Sequence, residues 1–463
     1  MWWEALPTLA QEKPDAARGY SYLVNGGYVG CGVPVTVMKR AVLSKSLVPA
    51  SVIATFIPMA GEDIFNSGTQ LPERNSDNAL LIPSMNIFET KRGNKVINFN
   101  CLSCHGESID GNFIVGLGNR TRDFTQEISR FAKVLPLLAW TAEEREEVRA
   151  FQRATETISP YIQTNTVGVN PAINLTYALF SQRHAEDYTW SETPTLEPPA
   201  TIFPPVDVPP WWRMGRKSSM FYSGEFRHSH HRIMMLASTL CVENQKEMRA
   251  LEKPFYDVEA FGKSLRAPRY PAPIVRETAE RGRLVFNQNC SSCHGTYGEN
   301  GSYPDRIVPI EVVGTDPWLM EHQTGIETQR FWESGEEASQ ALYGEKFGFH
   351  ALRGYSAPPL DGIWSTAPFF HNGSVPNLEA VLNSSSRPTY WWKSNTHQSQ
   401  DYDVAQVGVK FELLNYGYYQ GFPFTRRYIY DTTLPGYGNQ GHTFGDHLTH
   451  DERSAVIEYL KTL

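Results

Sequence analysis

Polar and apolar residues alternate with helical spacing in only a few stretches of this chain. Behind Thr141-Ala-Glu-Glu144, apolar positions recur at Val148, Phe151 and Ala154. A Thr at the N-cap with Glu three residues on is a capping box, so a helix is predicted from there to about Thr157. The segment from Val275 to Asn289 gathers Ala279, Gly282, Val285 and Phe286 on one side and reads as an amphipathic helix. A second capping box, Thr449-His-Asp-Glu452, opens a terminal helix through Val456, Ile457 and Leu460. Met234 to Leu240 has an apolar, helix-like pattern. Elsewhere periodicity fades. Residues 1–90 carry scattered Gly, Pro and Asn with short apolar patches such as Val33 to Val37, and are predicted to be an irregular N-terminal extension. Asn165 to Leu179 mixes turn residues with an apolar stretch. Ser191 to Pro210 is proline-rich, hence extended and stiff, and is the candidate connection between two halves. Residues 300–440, rich in Tyr, Trp, Gly and Pro, are predicted to be mostly loop with short helices. The fold class expected is mainly α with extensive loops.

Length and composition narrow the picture. A chain of 463 residues suits two to three domains. Net charge −8 and the lack of low-complexity tracts argue against nucleic acid or an anionic membrane surface as a partner. The longest nearly apolar run, Leu47 to Gly61, contains Pro49 and Pro58 and is shorter than the roughly 20 residues that span a bilayer, so it reads as core or as a substrate-facing loop.

Chemistry enters with the cysteines. Four of the six lie in Cys101-Leu-Ser-Cys104-His105 and Cys290-Ser-Ser-Cys293-His294, each preceded by Asn and followed by Gly. C-x-x-C-H is the attachment motif of a c-type haem: two thiols bond the porphyrin and the histidine ligates iron from the proximal side. A zinc site would need a second metal-binding pair near each motif, and neither has one. Two covalently attached haems (iron) are therefore expected, with His105 and His294 as metal ligands. The glycines after the first motif, Gly106, Gly111, Gly116 and Gly118, let the chain pass close to a haem edge. In cytochromes c the first and last helices cross with a glycine and an aromatic at the contact. Gly282 and Phe286 against Tyr459 and Leu460 suit that crossing. The expected organisation is an extension over 1–90, a first cytochrome c-like module over 91–210, and a second over 211–463 with an irregular insertion at 300–440. Covalent haem attachment implies a periplasmic or secreted protein. The start, Met1-Trp2-Trp3-Glu4, lacks the basic and apolar regions of a signal peptide, so the sequence reads as a mature form. Cys31 and Cys241 remain: a disulfide and two buried free thiols are both open readings, and spacing does not decide between them.

Thr366-Ala-Pro-Phe-Phe-His371-Asn-Gly-Ser-Val-Pro-Asn-Leu378, together with the two haem motifs, resembles the bacterial dihaem cytochrome c peroxidase and MauG superfamily. Asn165-Thr-Val-Gly-Val-Asn-Pro171, Pro209-Pro-Trp-Trp212 and Gly438-Asn-Gln-Gly-His442 make the likeness closer to the rubber oxygenases, dihaem enzymes that cleave polyisoprene. The resemblance covers most of residues 90–463. It implies that His442, rather than its neighbours His447 and His450, is the distal ligand of the second haem. A bis-histidine haem has no vacant position and acts as an electron relay. His371 is expected to bind at the cofactor by anchoring the loop or a propionate.

No histidine lies between His105 and His184, which departs from the peroxidases and leaves the first haem with a distal site suited to dioxygen. The resemblance implies an apolar distal pocket there, and Trp211, Trp212 and Phe226 occupy the matching stretch as candidate catalytic residues. His228, His230 and His231 read as a solvated loop, with a distal ligand as the alternative, and Trp140 or Trp212 as a carrier of electrons between haems. The function implied is cleavage of carbon-carbon double bonds of an apolar, polyisoprene-like substrate with dioxygen, with a small electron-transfer protein as a further candidate partner. The alternatives are a MauG-like peroxidase and a plain electron-transfer cytochrome.

Overall fold

The hydroxyl of Thr141 accepts the Glu144 N–H at 3.2 Å while the Glu144 carboxylate takes the Thr141 N–H at 3.3 Å, so the expected capping box starts a helix as the sequence requires. In the computed structural model, which describes residues 13–44, 63–202, 204–227, 230–344, 346, 348–350, 352–393 and 401–463, the main helices are α1 (Ala16–Asn25), α2 (Val35–Leu43), α3 (Ala142–Ile158), α4 (His230–Leu236), α5 (Gln245–Ser264), α6 (Arg276–Asn289) and α7 (His450–Leu460). Helix, at 39%, outweighs strand, at 12%, which is compatible with the mainly α expectation. Among the described residues no helix is long and apolar enough to cross a membrane. The apolar run Leu47 to Gly61 lies outside the described residues.

Two helix pairs organise the chain. The terminal pair, α6 on α7, crosses where expected: a Cβ at Gly282 would stand 1.8 Å from the carbonyl oxygen of Ala455, so only a glycine lets the backbones meet. Phe286 and Tyr459 pack beside it with ring centres 5.3 Å apart. The other pair, α1 on α5, repeats this design without having been visible in the sequence. A Cβ at Gly19 would stand 1.9 Å from the Asp257 carbonyl oxygen, and Tyr20 packs on Phe261 at 5.0 Å. The Asp257 carboxylate also accepts the N–H of Asp15 at 2.7 Å and the Arg18 guanidinium at 2.9 Å.

These packings differ from the expected segmentation. Residues 13–44 are not an irregular wrapping: they form α1, α2 and the short strand β1 (Val33–Pro34), which joins β2 (Met85–Glu89) and β3 (Lys95–Phe99) in the antiparallel order β1-β3-β2, with Val33 opposite Ile97. The periodic signal of α1 is short, with Gly19, Leu23 and Val24 as its buried face. Leu265 to Val275, with Pro268, Pro271 and Pro273, separates α5 from α6. The 300–440 region holds an eighteen-residue helix, Ile326–Tyr343, longer than the short helices expected.

Three large apolar cores result. One joins Leu23, Leu102, Trp211, Phe226, Phe255 and Trp332; a second joins Trp212, Phe286, Trp364, Trp391, Tyr430 and Tyr459. The third packs Val37, Met38, Ile97, Phe131, Leu135 and Phe151. It contains Cys31, bonded to Cys241 with Cα atoms 5.6 Å apart, so the disulfide reading holds and the N-terminal segment is tied to the middle of the chain. The consecutive residues Trp211 and Trp212 divide between the first two cores.

Candidate functional site

Helix α6 runs into the second motif and stops at Cys290, and the short turn Ser291–His294 follows. Nδ1 of His294 lies 2.9 Å from the Pro358 carbonyl oxygen. Donation of an N–H there fixes the tautomer and leaves Nε2 as a free ligand atom. Facing it is His442, with ring centres 6.2 Å apart. A metal-ligating imidazole nitrogen sits about 2 Å from its metal and the ring centre about 1 Å behind it, so two rings sharing one metal have centres roughly 6 Å apart. The observed spacing fits that arrangement.

The loop that delivers His442 is held from several sides. His442 itself has a positive φ of 45°, unusual for a residue with a side chain. Its N–H donates to the Val313 carbonyl at 2.6 Å. A Cβ at Gly441 would stand 2.1 Å from the backbone of Gly314. The Arg387 guanidinium donates to the carbonyl oxygens of Asn439, Gly441 and His442 at 2.7, 2.6 and 3.1 Å. Asn372 donates to the carbonyls of Gly436 and Gly438, both at 2.9 Å, so the 366–378 segment braces the loop through Asn372 rather than through His371. His371 is stacked on Tyr355 at 4.1 Å, and burial, which leaves its Nε2 without a partner, pushes its imidazole down to about 3. Burial pushes His442 down to about 4 and lowers His294 as well, so both rings are neutral at pH 7, the form that binds metal. The rivals are elsewhere: His447 is exposed and contacts Asn289 at 3.1 Å, and His450 is exposed in the first turn of α7.

Cys290, Cys293, His294, His371 and His442 share one cavity with Phe369, Phe370, Leu382, Val456, Leu460, Arg213 and Asp207, whose carboxyl burial pushes up to about 7. It encloses about 1490 Å³, counting the open space at its mouth. Two thiols, a tautomer-fixed imidazole, an orphaned Nδ1 on His442 and apolar walls fit a porphyrin attached through Cys290 and Cys293.

The first motif is built differently. Strand β3 leads into a 3₁₀ turn, Cys101–Ser103, capped by the Asn100 side chain, which accepts the Leu102 N–H at 2.9 Å. The Cys101 N–H donates to the Tyr28 hydroxyl at 2.9 Å, bonding the motif to the N-terminal segment. A hairpin of β4 (Gly106–Ile109) and β5 (Asn112–Val115) follows, and the loop after it returns N–H groups from Gly116 and Asn119 to the carbonyls of His105 and Cys104, both at 2.8 Å. Trp211 donates its N–H to Gly116 at 2.8 Å and lays its ring against the His105 imidazole, centres 4.9 Å apart. Burial pushes the His105 ring down to about 4, against the opposing pull of a backbone hydrogen bond to Pro209. Two thiols beside an enclosed neutral imidazole again fit covalent haem. Trp211 is the one ring neighbour of His105 among the described residues.

The three candidate catalytic aromatics are thus not gathered into one pocket wall. Trp211 lies beside the His105 imidazole rather than across from it. Trp212 turns to the second core, its Nε1–H donating to the Asp361 carbonyl at 2.8 Å. Phe226 lies in the first core against Trp332 at 4.5 Å, with Phe221 and Phe349 alongside. His230 and His231 correct another expectation: they are buried on α4, not solvated, because α5 brings Glu252 and Glu259 against them, with His231 Nδ1 3.0 Å from Glu259. Their neighbour His228 lies outside the described residues. Trp140, a proposed electron carrier, is 69% exposed on the surface beneath the Arg40 guanidinium. The residues missed from sequence are Arg213 and Arg387, isolated arginines with no local motif to mark them.

Residues 354–392, which include His371 and Asn372, match the family model described as RoxA-like, cytochrome c-like. The chain carries a RoxA-like, cytochrome c-like segment. Two curated relatives come from Sinorhizobium fredii (strain NBRC 101917 / NGR234). "Uncharacterized protein y4iJ" is 29% identical over 261 residues, covering 43% of this chain and 41% of the relative; "Uncharacterized protein y4iM" is 26% identical over 278 residues, covering 54% and 59%. The alignments thus span about half the length of the relatives. A RoxA-like, cytochrome c-like segment points to covalent haem and a haem oxidoreductase or cytochrome.

Proposed function

We propose that this chain is an extracytoplasmic dihaem oxygenase of the RoxA-like kind, related to the dihaem peroxidase and MauG superfamily, that uses dioxygen to cleave carbon-carbon double bonds of an apolar, polyisoprene-like substrate. The observation that carries the reading is the inequality of the two sites: His294 has a partner imidazole 6.2 Å away, whereas the ring beside His105 is a tryptophan. Cys101, Cys104 and His105 would hold one haem, and Cys290, Cys293, His294 and His442 the other. A haem supplies an iron centre for dioxygen and one-electron chemistry. His442 closes the second site to exogenous ligands and makes it a relay. The first site is backed by the apolar core of Phe226, Trp332 and Phe255, in keeping with an apolar substrate. Both oxygen atoms would enter the products, giving two carbonyl ends.

The Trp211-Trp212 step, whose two rings divide between the cores, is the path proposed for electrons between the sites. The paired crossings of α1 on α5 and α6 on α7 support two cytochrome c-like units, 13–264 and 276–463. The Cys31–Cys241 disulfide suits a periplasmic or secreted location. The proposed partners are dioxygen, the alkene and a small electron-transfer protein.

The test is incubation of purified holoprotein with polyisoprene in air, without peroxide or reductant, following oxygen uptake and carbonyl products. Spectra with carbon monoxide or imidazole should report one accessible haem. Absence of cleavage combined with fast peroxide turnover on a reduced cytochrome would make the protein a peroxidase. Failure of both haems to take any exogenous ligand would make it an electron carrier.

A further inference from the structure

Arg213 is the only Lys or Arg side chain on the described wall of the His294–His442 cavity. It is 6% exposed, yet its guanidinium finds only the Asp361 carbonyl at 3.3 Å from Nε and the Thr366 hydroxyl at 3.4 Å from Nη2. Both contacts are long for hydrogen bonds to a charged donor. Two carboxylates act on it from beyond contact distance: Asp361, which pairs with Arg216 at 3.5 Å, and Asp207, the acid on the cavity wall, which accepts the Tyr222 hydroxyl at 2.8 Å. Burying a cation without a close counter-charge costs several kcal/mol, so buried charges are paired. A guanidinium is a planar fork matched to a carboxylate, and this one opens onto a cavity whose other walls are largely apolar.

We propose that Arg213 is the anion seat of this cavity, and that its occupant is a propionate carboxylate of the haem held by Cys290, Cys293 and His294. The inference rests on the haem reading of the second site. A fixed positive charge beside that haem favours its reduced state, so Arg213 raises the reduction potential of the relay. The same residue ends the three-residue turn Trp211–Arg213, whose first ring lies on His105. One turn therefore holds a group of each site in register.

The experiment compares wild type, Arg213→Gln, Arg213→Lys and, as a control from the same stretch, Arg216→Gln, all as holoproteins. Haem on each motif is counted by peptide mass, the two midpoints are read by optical redox titration, and the propionate bending band is read by resonance Raman. The expected result is a lower midpoint and a shifted propionate band for the low-spin haem in Arg213→Gln, a smaller change in Arg213→Lys, and wild-type values in Arg216→Gln. Unchanged midpoint and band in both Arg213 variants would overturn the proposal, as would a Lys variant identical to the Gln variant in potential, since charge would then be irrelevant. Should the Gln variant yield no folded protein, the Lys variant decides: a shifted propionate band supports the seat, and an unchanged band and midpoint overturn it. A wild-type peptide without haem on Cys290 and Cys293 would sink the underlying haem reading instead.

Discussion

Replacing Gly282 by Ala tests the packing on which the second site depends, and two opposed effects set its size. In a helix interior Ala is favoured over Gly by about 1 kcal/mol. Against that, the new Cβ would stand 1.8 Å from the Ala455 carbonyl oxygen, where ordinary contact begins at 3.4 Å. The obstacle is backbone on a facing helix, so no side chain can swing aside, and α7 would have to withdraw by about 1.6 Å. Overpacking of this kind costs about 1–3 kcal/mol and sometimes more, and a backbone clash belongs at the upper end. The net loss expected is about 2 kcal/mol, or roughly 4–8 °C in Tm for a unit of this size. Gly19→Ala should lose a similar amount, because its Cβ would stand 1.9 Å from the Asp257 carbonyl oxygen. The two variants should differ in which haem spectrum is lost first on heating: the second for Gly282→Ala, the first for Gly19→Ala. Thermal unfolding followed in the visible bands decides it. A variant as stable as wild type, or a Gly19→Ala protein that loses only the second haem's bands, would refute the paired-crossing argument.

Three further outcomes are expected. His442→Ala should open the second site, so that titration with imidazole reports one more bound equivalent than in wild type. The double change Cys31→Ser and Cys241→Ser removes a link across a sequence separation of 210 and should cost about 2–5 kcal/mol, read by denaturant unfolding under non-reducing conditions. Hydrogen bonds from Arg40, joined by Thr36 and the N–H groups of Trp140 and Thr141, hold the Glu144 carboxyl down to about 2. A depressed carboxyl contributes stability that is present above the unfolded value near about 4.3 and is lost as pH falls toward 2. Glu144→Gln should therefore be less stable than wild type by on the order of 2 kcal/mol at pH 7, with the gap closing between about pH 4 and pH 2 in thermal melts.

What could be read in the sequence was local or repeated as a motif. The capping boxes at Thr141 and Thr449 need only four residues each, and both start helices. The Gly282–Phe286 face was legible because a known motif follows it directly and the last helix closes the chain. The equivalent face around Gly19 was not, since its partner Asp257 lies far downstream and β1 to β5 intervene before α5. The burial of His230 and His231 depends on Glu252 and Glu259 arriving from the next helix, so three histidines within four positions read as polar. Likewise nothing in Pro-Pro-Trp-Trp tells that adjacent indoles face different cores; the 3₁₀ turn Trp211–Arg213 decides that.

The inequality of the two sites follows from what each unit can afford to bring across from its histidine. Presenting His442 takes more than a histidine at the right place. Gly441 must lie backbone-to-backbone on Gly314, His442 must accept a positive φ, and Arg387 and Asn372 must satisfy the carbonyls of the strained loop. All of these come from the long segment between Cys293 and α7. In the first unit the chain after His105 is spent otherwise: β4 and β5 turn back at once, and Gly116 and Gly118 pass so close to Trp211 and Val208 that a Cβ at Gly118 would stand 1.9 Å from the Val208 carbonyl oxygen. That tight return fixes Trp211 on the imidazole, and among the described residues no braced loop of the His442 kind stands beside it. A histidine substituted into the Phe226 region would therefore lack the bracing that holds His442.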